Sequence, residues 1–275
     1  MVRDMTIGQF YNTDSVIHRL DPRVKIIFTL VYVITLFFPR NPFLYLAAFL
    51  VLAVYIRLSQ VPLKFILKGL KALAMIILFT VVVNLFTVKG VTVVFQWGFI
   101  KITEAGLVSA VYLGLRLVFM IIGSSMMTYT TTPNALTDGL EKMLGWMKKL
   151  NVPVHEFAMI MSIALRFVPI LVEELDKIMK AQMARGIDFK EGKLLARLRK
   201  LMPIILPLFV SAVRRSNELA LAMDARCYHG GEGRTKMKPL QYCKRDYIAC
   251  FFVTIYLAVI CLLYTSPSPR DSTSS

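Results

Sequence analysis

The stretch Ala72-Leu-Ala-Met-Ile-Ile-Leu-Phe-Thr-Val-Val-Val-Asn-Leu-Phe-Thr-Val88 carries no charge from end to end. Crossing the hydrocarbon core of a bilayer takes about 20 mostly apolar residues, so this run reads as a membrane span. Working outward, Val24–Phe38 and Phe43–Ile56 are apolar on either side of Pro39-Arg40-Asn41-Pro42, which reads as a tight turn. Arg57, Lys64, Lys68 and Lys71 then mark a basic loop or interfacial segment. Lys89–Glu104 is a loop in which Val91–Phe95 and Phe99–Ile102 suit a short hairpin. Ala105–Thr132 is a fourth span interrupted only by Arg116, and Asp246–Ile260 begins a last one. Composition agrees: 56% of the 275 residues are hydrophobic, 18% are charged, and the mean hydropathy is +0.61. Soluble domains run roughly 45–50% apolar and about 25% charged. Disorder is excluded by this much apolar surface. A disulfide scaffold is excluded by only 4 Cys, none in a CxxC pair.

The charge is one-sided. Lys and Arg number 33 against 17 Asp and Glu, a net of +16. Nucleic acid, anionic lipid and the positive-inside rule are the competing explanations. No soluble scaffold is visible to present bases or phosphates, so nucleic acid is set aside and the membrane readings are favoured. Arg3, Arg19, Arg23 and Lys25 before the first span, and the basic segment after the second, place the N-terminus on the cytoplasmic side. Met1–Asp21 has no signal-peptide pattern.

From Pro133 to Asp246 the composition shifts, with 20 Lys and Arg against 12 Asp and Glu. Two segments there begin apolar and end charged: His155–Val172 continued by Glu173–Arg185, and Leu201–Val213, with Pro203 and Pro207, continued by Arg214–Arg226. Such a helix starts in or on the bilayer and ends in water, the form of a lever lying along the membrane. Asn134–Leu150 is a third amphipathic segment, with Leu136, Leu140, Met143, Leu144 and Met147 at helical spacing. The expected fold class is an all-α integral membrane protein with about five transmembrane helices and long amphipathic coupling helices on the cytoplasmic side. The expected division is 1–132 for a four-span membrane domain, 133–245 for the coupling helices and 246–264 for the last span. Cys261-Leu-Leu-Tyr-Thr-Ser-Pro-Ser-Pro-Arg-Asp271 reads as a translated library adapter. The natural sequence is therefore expected to end near Ile260, and 265–275 is taken as a non-native tail without functional weight.

Enzymatic motifs are absent. There is no GxxxxGK[ST], no HExxH and no Gly-x-Ser-x-Gly, and His18, His155 and His229 are scattered, so neither cofactor nor metal is expected. Asp21-Pro22 is a good N-cap followed by a proline suited to the first helical position, and Arg23 and Lys25 are suited to snorkel to the interface. Arg116 and Arg166 are costly in hydrocarbon, at least about 2.5–3.5 kcal/mol on insertion scales. Each is either a structural pairing or interfacial residue, or a polar joint between the membrane core and the levers. The clearest signal is an echo: Gln182-Met-Ala-Arg-Gly186 closes the first lever and Met223-Asp-Ala-Arg-Cys227 closes the second. Arg in a last turn complements the helix dipole, Gly186 suits a left-handed cap, as do Gly230 and Gly231 after the second, and the guanidinium fork engages a carboxylate at two points. Two ordinary helix ends with favourable cations would look alike; the repetition on matched segments is what raises a functional reading.

These residues resemble the transmembrane T component of energy-coupling factor transporters. The resemblance is carried by His18-Arg-Leu-Asp-Pro-Arg-Val-Lys25, Thr137-Asp-Gly-Leu-Glu141, Ser162-Ile-Ala-Leu-Arg-Phe-Val-Pro169, Ala181-Gln-Met-Ala-Arg-Gly186 and Arg214–Arg226 with Gly230-Gly-Glu-Gly233. It covers the chain to about Tyr247. It implies a coupling subunit of a vitamin or trace-metal importer that bridges two ABC-type ATPases and a small membrane-embedded substrate-binding S component. Ala184, Arg185 and Gly186 would contact one ATPase, and Ala225 and Arg226 the other. Arg116, Arg166 and Pro169 would pack levers and S component or serve as structural joints. The chain would bind no ATP and no cofactor and would not be an enzyme. It would lie multi-pass in the cell membrane with the coupling helices cytoplasmic. Cys227 stands where the family has Gly, which is expected to alter that helix end but not the Arg contact. The alternative is a self-contained secondary transporter or channel, which would place more charge inside its spans.

Overall fold

The computed structural model describes residues 10–11, 13–38, 42–88, 93–97, 100–150, 152–187, 194–230 and 240–265. Eight helices run in the order α1 (Pro22–Thr35), α2 (Pro42–Ser59), α3 (Leu63–Thr87), α4 (Glu104–Thr130), α5 (Pro133–Met143), α6 (Val154–Ala184), α7 (Leu194–Asp224) and α8 (Lys244–Thr265) among the described residues. A two-stranded antiparallel hairpin, β1 (Val93–Trp97) and β2 (Ile100–Thr103), separates α3 from α4, with Trp97 paired to Ile100 and Val93 to Thr103. The chain is thus an all-α membrane protein apart from this small hairpin.

Among the described residues, four helices are long and apolar enough to cross a bilayer: α2, α3, α4 and α8. The sequence suggests about five. The difference is α1, whose 14 residues reach only about 21 Å before Leu36–Phe38 turns away. Conversely, α3 is longer than its uncharged run. It begins at Leu63 behind the Pro62 N-cap, so Lys64, Lys68 and Lys71 are helical, not a loop. Their spacing puts the three ammonium groups on one exposed side of the first turns, where long stems can carry charge to the interface. The third amphipathic segment is α-helical only to Met143 and tightens into a 3-10 helix over Leu144–Leu150, where Gly145 lowers helix propensity. α7 also starts earlier than expected, because Arg197, Arg199 and Lys200 are good helix formers. The turn at residues 39–41, Lys89, Gly231–Gly233 and the tail from 266 onward lie outside the described residues. Helix α8 itself continues through Thr265.

The described residues divide into two compact units. The first takes the chain up to Gly139 and again from Leu240; the second begins at Leu140, so the division falls inside α5. In the first unit α1, α2, α4 and α8 enclose a core of Tyr32, Leu36, Leu44, Tyr45, Ala48, Leu52, Phe119, Tyr256 and Ile260. Tyr32 is 1% exposed, and its ring lies so close to α4 that a Cβ on Gly123 would come within 2.7 Å of Cε1. Only glycine lets these two helices approach so far. The outer faces are apolar instead of polar: Met75 is 84% and Phe79 70% exposed. Such a surface belongs in lipid.

A polar knot closes the same unit at the start of α1. Asp21 caps α1 by accepting the Arg23 backbone N–H at 2.9 Å, as the sequence indicates. Arg23 and Lys25 do not snorkel. Lys25 is 3% exposed, and its ammonium donates to the carbonyls of His18 at 3.2 Å and Thr130 at 2.8 Å. Arg23 lies over the Tyr242 ring and donates to the Leu240 carbonyl. The reason is the buried acid facing them: Asp246, 2% exposed, accepts the Asp21 backbone N–H and, from the third position of α8, the Cys243 N–H, each at 2.8 Å. These bonds satisfy helix-start amides that would otherwise be stranded. His18 Nε2 donates to the Tyr11 carbonyl while Nδ1 accepts from the Ser15 hydroxyl, an arrangement suited to the neutral ring. Burial pushes its pKa below the ordinary value, against the pull of the Tyr11 carbonyl.

Candidate functional site: two Arg-tipped helices

The two helices that carry the echoed motif close in the same way. At the end of α6, the Gly186 N–H donates to the Met183 carbonyl and the Ile187 N–H to that of Gln182, with Gly186 at φ +85°. At the end of α7, the Cys227 N–H donates to Asp224 and the Tyr228 N–H to Met223, with Cys227 at φ +55°. Each is a complete Schellman closure, with a 6→1 and a 5→2 bond around a left-handed residue. The expectation that Cys227 alters the helix end is therefore corrected. Cys227 occupies the left-handed position that closes the helix, ahead of Gly230, which itself lies at φ +99°, and the backbone takes the glycine geometry in spite of its Cβ. In both tips the residue just before that position is the Arg, and Ala184, Arg185, Gly186, Ala225 and Arg226 are all exposed. The carbonyls are satisfied internally, so each guanidinium stands free of the work of capping its own helix.

Behind the tips the two helices join along a polar seam. The Glu174 carboxylate on α6 accepts the Ser211 hydroxyl on one oxygen and both Nε and Nη2 of Arg215, at 3.2 and 2.8 Å, on the other. The Ser211 hydroxyl and then the Arg215 guanidinium hold this carboxyl below its ordinary pKa. A carboxylate with a lowered folded-state value keeps its contribution above the ordinary range and loses it only as pH falls through the depressed value. The seam is thus closed throughout the neutral range.

Eight residues further along α6, Gln182 is 8% exposed and donates from Nε2 to the Pro203 carbonyl at 3.2 Å. The reason is covalent. Pro207 has no N–H, so the carbonyl four residues earlier, that of Pro203, loses its helical donor. Gln182 supplies it from the neighbouring helix. The contacts 174–211 and 182–203 advance in opposite directions by equal steps, so α6 and α7 run antiparallel here. A rise of 1.5 Å per residue then separates Arg185 from Arg226 by about 39 Å along the seam.

The remaining predicted site residues lie elsewhere. Arg166 and Pro169 are exposed on the first half of α6, where Phe157 and Ile160 are also exposed. Arg116 lies within the first unit. It donates to the Tyr45 hydroxyl at 3.4 Å and sits 5.7 Å from the Phe37 ring centroid, and its Nε is buried without a partner. The N-terminal end of α6 is tied to α5 through His155 Nδ1 and the Glu141 carboxylate at 2.9 Å. Glu174, Ser211 and Arg215 escaped the sequence reading. Each looks like an ordinary residue on a charged helix face, and only the antiparallel register brings them together. Gln182 had a signal, its place in the echo, but its partner is a backbone atom exposed by a proline.

Comparison with known proteins identifies the family. Residues 13–237 match the sequence profile of the family described as Cobalt transport protein, CbiQ. The chain is 45% identical over 263 residues to a protein of Ruminiclostridium cellulolyticum named Energy-coupling factor transporter transmembrane protein EcfT, covering 96% of this chain and 98% of that one. Proteins of the same name from Clostridium kluyveri and Bacillus subtilis are 46% and 45% identical, covering 94% and 90% of this chain and 97% and 93% of theirs.

Proposed function

We propose a coupling role that rests on one premise: the chain belongs to the cobalt transport protein (CbiQ) family, as the transmembrane protein of an energy-coupling factor transporter. It is a multi-pass membrane protein. In the proposed role, α6 and α7 are cytoplasmic levers, and each Arg tip seats in a groove of one of two ABC-type ATPase subunits. Arg185, flanked by Ala184 and Gly186, makes one contact; Arg226 with Ala225 makes the other. ATP is bound and hydrolysed by those partners in the cell membrane assembly, and vitamin or trace-metal substrate is held by a small S component. The apolar first halves of the levers, with Arg166 and Pro169, face that S component. Arg116 serves as a joint that holds α4 to α2.

The observation that carries this reading is the twofold one. Two helices end in the same closed backbone geometry, each presenting an exposed Arg that its own helix does not need. A planar fork of donors fits a carboxylate, and a small neighbour lets the partner surface approach. The test is recovery of the ATPases. Arg185→Glu with Arg226→Glu, each placing a carboxylate where a cation stood, is expected to abolish both co-purification and substrate uptake. Losing one charged interface contact costs about 2–5 kcal/mol. ATPase recovery equal to that of the unaltered chain would refute the assignment.

A further inference from the structure

Both Arg tips stand at the same remove from one polar clasp. Arg185 lies 11 residues beyond Glu174 on α6, and Arg226 lies 11 residues beyond Arg215 on α7. Eleven residues make about three helical turns and about 16 Å, and return to nearly the same side of the helix. The joined carboxylate and guanidinium therefore sit midway between the tips. Neither closure depends on them, since each tip is completed by backbone bonds of its own helix.

Nor does packing alone call for charge at this place. Other side chains on the same stretch of α7, such as Leu206, Phe209 and Val210, are apolar and exposed, and an apolar pair in the seam would bury surface equally well. What apolar contact lacks is direction. Aliphatic contact favours a few crossing angles but carries no directional bond. A carboxylate receiving a hydroxyl on one oxygen and two guanidinium N–H groups on the other accepts one register and one crossing angle.

We propose that Glu174, Ser211 and Arg215 form a positioning clasp that fixes the span between the two Arg tips, so that α6 and α7 move as one rigid lever. This rests on the coupling role above, and its test separates the two. Spin labels are placed at Lys180→Cys and Leu221→Cys, both exposed positions outside the clasp and the tips, in a full-length chain whose four Cys are replaced by Ser. The chain is studied in lipid nanodiscs with and without its co-expressed partner subunits. Pulsed electron double resonance is expected to give one narrow distance. Glu174→Ala should broaden it about twofold, Ser211→Ala by less, and the exchange Glu174→Arg with Arg215→Glu should restore much of the narrowing. In the assembled complex, Glu174→Ala should raise the ATP consumed per substrate imported several-fold, and the exchange should lower it again. A distribution unchanged in both single variants, or an exchange no better than Glu174→Ala, overturns the clasp. If the distances respond as stated while the unaltered chain recovers no ATPase, the spacing function stands and the coupling role falls.

Discussion

Cys227 offers a direct measure of what the α7 tip costs to hold. It sits at φ +55°, where a Cβ crowds the following carbonyl. A left-handed L-residue costs roughly 1–2 kcal/mol, and glycine repays part of that saving through a larger loss of backbone freedom, roughly 0.5–1 kcal/mol. Cys227→Gly should therefore favour the closed tip by about 0.5–1 kcal/mol, which is a factor of about 2–5 in the closed-to-frayed ratio. The amides that report it are those of Cys227 and Tyr228, which donate to Asp224 and Met223. Hydrogen exchange of the peptide spanning residues 223–228 should slow by that factor, while the peptide ending at Ile187 stays unchanged. Cys227→Ala is the control, since it removes the thiol and keeps the Cβ, and it should exchange like the unaltered chain. Equal slowing in the Ala and Gly variants would assign the effect to the thiol and refute the backbone argument. Faster exchange in the Gly variant would show that Cys227 makes a specific stabilising contact.

Gly123→Ala should destabilise the first unit by about 1–3 kcal/mol, the usual cost of overpacking. The new methyl would meet the ring of Tyr32, which is buried and has nowhere to swing; an undiminished thermal midpoint in detergent would disprove the close approach of α1 and α4. The knot around His18 should weaken on acidification. Burial lowers its folded-state pKa, so the unfolded chain binds more protons near pH 6.5 and stability rises with pH there. The contribution is complete above the ordinary histidine value and is lost as pH falls below it. Thermal midpoints at pH 7.5 and about pH 5.5 should differ more for the unaltered chain than for His18→Gln, and equal differences would remove His18 from the account.

The legible parts of this chain are those written as composition or as local backbone chemistry. The apolar runs announce α2, α3, α4 and α8, Asp21-Pro22 announces the start of α1, and Ala-Arg followed by Gly186 announces the end of α6. What stayed hidden needs a second strand of information. Lys25 in sequence is a cation beside a span. Its burial follows from carbonyls of His18 and Thr130 that only the fold brings to its ammonium. Asp246 reads as an acid at a helix start, yet one of its oxygens caps a backbone amide 225 positions away. The extent of α3 was obscured for the opposite reason. Three lysines look like a loop to a hydropathy argument, although no proline lies between Leu63 and Ala72 and the lone Gly69 weakens the helix by only about 1 kcal/mol. Cys227 misleads in a third way, because a residue type ill suited to the left-handed region gives no sign that the backbone enters it.

Tip and seam are joined by a single residue, and that makes their coupling measurable. The Gln182 backbone carbonyl accepts the Ile187 N–H that closes the α6 tip, while its side chain donates to the Pro203 carbonyl on α7. The second bond exists because Pro207 withholds a donor. Gln182→Ala should therefore leave a half-buried carbonyl unpaired, at a cost of about 1 kcal/mol, near the lower end for such groups. Pro207→Ala restores an N–H four residues after Pro203, and the carbonyl regains a helical partner. In that background Gln182→Ala should cost little, so the two changes are strongly non-additive, with a coupling of about 0.5–1 kcal/mol in denaturation of the purified chain. Additive effects would mean that Gln182 stabilises the seam by packing alone. In that case the orientation of α6 against α7 would rest on Glu174, Ser211 and Arg215 without a second polar hold.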